Sequence, residues 1–113
     1  MVLKPGNVVF VVHRRLYDRD SPRFFLGRVE CYDSGVARVI GYSFGRDGVS
    51  GNFTRKSDVR TKLFGIASGT LLVYCLPDEM AIEAARFEQS EQGVCLVGSH
   101  GVSLNLSEWV HTH

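Results

Sequence analysis

Residues 25–42, FLGRVECYDSGVARVIGY, set two runs of β-forming residues on either side of Asp33-Ser34-Gly35. A turn triplet between two such runs predicts an antiparallel hairpin with a short connection. Along the first run Phe25, Gly27, Val29 and Cys31 alternate with Leu26, Arg28, Glu30 and Tyr32, which assigns the two sets to opposite faces. Gly27 and Gly41 fall inside the strands, where a missing side chain suits a sharp bend. A hairpin of this kind commits the chain to β structure, and the flanking sequence has to supply its partners.

The flanks read the same way. VVFVVHRR at 8–15 is a β-branched run, broken by the turn-forming LYDRDSPR. VRTKLFGIA and GTLLVYCLP bring two further strands, and Pro77 ends the second. The uninterrupted LLVYCL predicts a strand covered on both faces. Residues 45–58, rich in Gly, Ser and charge, read as a surface loop. PDEMAIEAARFE opens on Pro and acids and is Ala-rich, which predicts a short helix, with an extended course from Ala84 as the alternative. GVCLVGSHGVSLNLSEW gives two strands about a Gly-Ser-His-Gly turn. The expected barrel strands are thus 8–15, 24–32, 36–44, 61–67 and 70–76, with Val9, Val11, Val29, Val39, Leu72 and Tyr74 buried.

A chain of 113 residues fits one domain. At that size folding buries roughly two-thirds of the unfolded surface, enough for a core without disulfides or metal. Net charge is only +1, but it is unevenly spread. Residues 1–62 carry twelve lysines and arginines against six acids, and the remainder carries Arg86 against six acids. Such a dipolar chain can offer a basic face to an anion or pair its own halves. Cys31, Cys75 and Cys95 are odd in number and sit among apolar neighbours, which predicts three free core thiols and a reducing, cytoplasmic setting. No apolar run is long enough for a membrane helix, the N-terminus lacks a signal-type apolar stretch, and the sequons at Asn52 and Asn105 are then incidental.

Gly27, Val29, the pair Tyr32-Asp33 and Val36 together resemble the first signature of Sm and Sm-like proteins. ASGTLLVYCLP at 67–77, with Gly69 and Leu72, resembles the second. The resemblance covers about residues 8–77 and implies a small, strongly bent five-stranded barrel; another small barrel or an SH3-like sheet satisfies the same pattern. The expected fold is therefore mainly β, an Sm-like or SH3-like barrel over 1–77 with an α/β extension over 78–113 packed on the same domain. The resemblance further implies assembly by strand pairing between subunits, with Leu72, Tyr74 and Leu76 at the interface. The family's RNA pocket uses an aromatic or His, an Asn and an Arg at positions occupied here by Gly35, Ala37 and Ser68. Stacking a base needs a ring, so the usual uridine pocket is expected to be absent.

Basic residues interleaved with aromatics mark a second candidate surface. Arg14, Arg15, Arg19, Arg23 and Arg28 lie near Tyr17, Phe24 and Phe25, and Arg55 and Lys56 come soon after Phe53. Arg14, Arg15, Arg23, Arg28, Arg55 and Lys56 are the candidate anion or nucleic-acid contacts; a solvated rim is the plainer account of them. No catalytic constellation emerges. GRDGVSG lacks the lysine and helix of a phosphate loop, GSHG lacks the nucleophile-elbow pattern, and the two terminal histidines are too few for a metal site. The expectation is a non-enzymatic, homo-oligomeric binding module without cofactor, metal or membrane contact, its partner an RNA or a protein. The alternative is a small regulatory or protein-interaction domain with no nucleic-acid role.

Overall fold

The computed structural model describes residues 2–14, 23–46, 53–91 and 93–106. Nine strands run in the order β1 (Val8–His13), β2 (Arg23–Asp33), β3 (Val36–Arg46), β4 (Phe53–Arg55), β5 (Arg60–Gly65), β6 (Leu71–Leu76), β7 (Arg86–Ser90), β8 (Gly93–Val97) and β9 (Ser103–Asn105) among these residues. A single 3-10 turn at Ile82–Ala84 separates β6 from β7. The fold is mainly β and antiparallel, as the sequence predicts. Six strands form one sheet in the order β4-β3-β2-β1-β6, with β5 pairing β3 beside β4; β7-β8-β9 form a second sheet.

The hairpin at the centre is longer than expected, with 11 residues in each strand. Ser34 and Gly35 form its connection with φ of 52° and 81°. Positive φ at both central residues is the turn that matches strand twist, and the hydroxyl of Ser34 donates to Asp33 Oδ1 at 3.1 Å. Gly27 lies opposite Gly41. A Cβ on Gly41 would strike the Leu26 carbonyl, and one on Gly27 would stand 2.8 Å from Val39 Cγ1. The two backbones press together at this point, which bends the sheet. One expectation fails here. The register shifts between Val29 and Cys31, leaving Glu30 as an extra residue. A bulge of this kind reverses the facing of the residues beyond it, so Tyr32 packs with Val29 while Cys31 is exposed.

Each face of the main sheet has its own core. On the concave face Val9, Val11, Phe25, Val29, Ala37, Val39 and Phe64 pack together. On the convex face Val8, Phe10, Val12, Phe24, Leu26 and Phe44 meet Met80, Ile82, Leu96 and Leu106 from beyond the main sheet. Phe10 stacks on Phe24 with ring centroids 5.4 Å apart, and Phe87 of β7 stacks on Phe44 at 5.0 Å. VVFVVH is apolar throughout because both of its faces are covered.

Several expectations need correction. The α/β extension has no α-helix among the described residues: a 3-10 turn at Ile82–Ala84 is followed by strands, close to the alternative of an extended course from Ala84. Met80, Ile82, Ala85 and Phe87 pack against the convex face, a spacing of two and three that extended chain satisfies, and Arg86–Ser90 pairs with β8. An isolated short helix there would gain too little to offset its nucleation cost. The loop at 45–58 contains β4, held by Phe53 against Phe24 and Phe87. Leu72 is 40% exposed and Tyr74 half-buried, whereas Val9, Val11, Val29 and Val39 are buried as expected. Among the described residues β6 pairs only with β1. Among them LLVYCL is thus an edge strand, partly covered on both faces, with Leu71 and Val73 on one core and Tyr74 and Leu76 on the other, while Leu72 and Cys75 are exposed. Cys31 and Cys75 are exposed and Cys95 half-buried, all three without disulfides; the apolar neighbours that suggest a core position belong to the opposite face or to this edge.

No ladder among the described residues joins β5 to β6, so no closed barrel is found among them. The 66–70 turn spans that gap. The Ile66 amide donates to the Gly35 carbonyl at 2.8 Å, and the Arg14 amide to the Thr70 carbonyl at 2.9 Å. No helix among them is long and apolar enough to cross a membrane.

Because the segment after β6 supplies about half of the buried residues of the convex core, Leu96→Ala should cost about 2–5 kcal/mol of global stability, the range for a buried leucine. Urea denaturation should show one transition with a lowered midpoint. A loss below about 1 kcal/mol, or a separate early transition, would make β7–β9 an accessory layer.

Candidate binding groove and open sheet edge

The inward-facing positions of four strands change character at one end of the bent sheet. On β1 Val9 and Val11 are followed by His13; on β2 Val29 and Phe25 are preceded by Arg23. On β3 Ala37 and Val39 lead to Ser43, and on β5 Phe64 is preceded by Lys62. Strand pairing aligns these ends: His13 lies opposite Arg23, and Phe25 opposite Ser43. The apolar interior thus ends in a rim of cations and hydrogen-bond donors.

That rim lines a groove of about 670 Å³ at the gap between β5 and β6. Lys56 joins Arg23 and Lys62 as a third cation, Ser68 and Thr70 add hydroxyls, and no described lining residue is acidic. Lys62 is held in place: its ammonium stands 5.1 Å from the Phe25 ring centroid and donates to Ser43 Oγ at 3.2 Å. His13 packs against Phe64 at 5.9 Å. Burial, then the charges of Arg23 and Lys62, hold its pKa below the ordinary 6.5, so the ring is neutral near pH 7.

The candidate cations from the sequence do not form one surface. Arg23 and Lys56 reach the groove. Arg14 lies at the end of β1, its guanidinium 3.4 Å from the Gly69 carbonyl. Arg28 is instead a structural tie, donating to the carbonyls of Asp78 at 2.8 Å and Met80 at 2.6 Å. Arg55 donates to the Glu83 carbonyl and covers the Tyr42 ring at 4.7 Å. Both arginines fasten the basic half of the chain to its acidic half within one molecule. Arg15, like Tyr17 and Arg19, lies outside the described residues. Lys62 and His13 escape a reading of the sequence for charge clusters. Their signal is the alternation itself, continued past the last apolar residue of each strand.

Of the family's pocket positions, Gly35 sits in the hairpin turn, Ala37 is fully buried, and Ser68 shares a 2.9 Å hydrogen bond with Thr70. The expected interface residues fall on β6: Leu72 is exposed, while Tyr74 and Leu76 pack partly on the convex core. At the GSHG turn the two side chains meet, with His100 Nδ1 3.1 Å from Ser99 Oγ, where adjacent positions in a turn would be expected to diverge. His100 adopts φ 59°, and Ser99 Oγ accepts the Ala81 amide at 2.9 Å. That hydroxyl pins the 3-10 turn. Among the described residues no three His, Cys, Asp or Glu side chains converge as metal ligands.

An NMR titration should place His13 below the ordinary histidine value, and Lys62→Met should move it upward while retaining the stem over Phe25. The folded state resists a proton that the unfolded chain accepts. The His13 contribution therefore lowers stability as pH falls through 6.5 toward the folded value. An ordinary or raised pKa in the wild type would contradict the packing described.

Compared with protein-family models, curated proteins and solved structures, the chain matches none.

Proposed function

We propose that the chain is a non-enzymatic binding and assembly module of the Sm-like kind, which associates with copies of itself along the open edges of its bent sheet. The observation that supports this most is β6. It is a six-residue edge strand containing no charge, proline or bulge, the devices that protect edges from pairing. β5 is also six residues long and, among the described residues, pairs only with β3. Its Leu63 is 70% exposed. Two strands of equal length that are edges among the described residues of one bent sheet permit head-to-tail pairing of β6 with β5 of a second copy, and repetition of such a contact closes a ring when the rotation allows. The order of strand, hairpin, insert, strand, short turn and strand agrees with the Sm-like resemblance, as does the bend at Gly27 and Gly41.

The same reading has no uridine pocket of the usual kind. Gly35 offers no ring, buried Ala37 offers no base contact, and Ser68 offers no guanidinium. Beyond its own copies the module's partner is an RNA bound in another manner, or a protein. Exposed free thiols suit a reducing, cytoplasmic setting.

Light scattering coupled to size exclusion should give a mass of several chains at micromolar concentration. Leu72→Asp should return it to one chain with an unchanged circular dichroism spectrum, since Leu72 is exposed and a charge on an edge strand opposes pairing. A monomeric wild type would overturn the proposal.

A further inference from the structure

We propose that the groove at the open end of the sheet binds a phosphate monoester, the dianionic group of a small phosphorylated molecule. Its described lining residues all come from one chain, with Lys62, Leu63 and Leu71 on the β5 and β6 edges that assembly would pair. Its chemistry comes from convergence. Arg23 and Lys62 are the end members of inward-facing rows, and Lys56 reaches the same groove from the segment after β4. The neighbouring polar groups, Ser43, Ser68 and Thr70, are hydroxyls able to donate.

Three cations crowd around one opening with no described carboxylate to neutralise them. Burial first, and then the charges of Arg23 and Lys62, lower the pKa of neighbouring His13, so the groove is positive on its protein side. A dianion offsets that charge more than a monoanion does. Charge-assisted hydrogen bonds to phosphate oxygens are the strong ones, and arginine and lysine are the side chains suited to them. The volume of about 670 Å³ is that of a small-molecule site. Leu63 and Leu71 supply apolar wall beyond the cations, so the rest of the ligand has something to lie on.

The test is an NMR titration of the full chain with inorganic phosphate, adenosine 5′-monophosphate and, as a monoanion of similar shape, adenosine 3′,5′-cyclic monophosphate. The expected result is saturable shifts at His13, Phe25, Ser43 and Lys62, with the monoester several times tighter than the cyclic diester. Bound dianion should also raise the His13 pKa, a response that occupancy elsewhere would not give. Lys62→Met should weaken monoester binding about tenfold, in line with loss of one charged hydrogen bond. Arg60→Ala, on the same strand but paired with Asp58, should leave binding unchanged. The proposal is overturned if phosphate and the monoester give no saturable shifts, if Lys62→Met binds as the wild type does, or if the cyclic diester binds equally well. Binding of oligothymidylate without binding of the monoester would assign the groove to a nucleic-acid strand and also overturn it. Because these readouts are made at single-residue resolution, failure here leaves the assembly reading untouched.

Discussion

β1 has no polar face, and the rest of the molecule answers to that. Val8, Phe10 and Val12 point one way, Val9 and Val11 the other, and all five are buried. A strand of this kind cannot lie on the outside of a small barrel with water behind it. At about 1.5–3 kcal/mol per fully buried large apolar side chain, leaving either row exposed would remove a substantial share of the stability of a domain this size. One row is covered by the sheet bending over itself. The other requires a second layer, which the chain after β6 provides, through Met80, Ile82, Leu96 and Leu106 among others.

The bend and the second layer are linked through particular residues. Gly27 and Gly41 allow the hairpin backbones to approach, and the curvature that results encloses the row running from Val9 to Phe64. On the outer face the Phe10, Phe24, Phe44 and Phe87 rings pack in offset and edge-to-face pairs, geometries worth something beyond their buried area. Arg28 then spans the junction, placing its guanidinium on the Asp78 and Met80 carbonyls. Arg55 does the same at the Glu83 carbonyl. The basic and acidic halves of the chain are therefore joined through cation-to-carbonyl contacts at these points.

Much of this is legible in the sequence, and the remainder is hidden for identifiable reasons. The central hairpin is readable because alternation, glycines and the Asp33-Ser34-Gly35 turn all agree. The bulge at Glu30 is not, because one extra residue leaves no mark in a period-two pattern yet reverses the face of Tyr32. PDEMAIEAARFE misleads because its residue types favour helix, while Met80, Ile82, Ala85 and Phe87 are claimed by a surface that the local sequence does not reveal. LLVYCL suggests complete burial, but its composition cannot distinguish a central strand from one that pairs on one side only among the described residues. The groove is half legible: Arg23 and Lys56 stand out as charges, whereas His13 and Lys62 acquire meaning only once four strands are aligned.

Native-state hydrogen exchange tests most directly whether the second sheet is part of one core. If it is, the slowest amides of β1, β2 and β8, at Phe10, Leu26 and Leu96 for example, open together with the free energy of global unfolding. If β8 exchanges through a distinctly cheaper opening while β1 and β2 stay protected, the main sheet stands alone and the account of a shared, two-faced core is wrong.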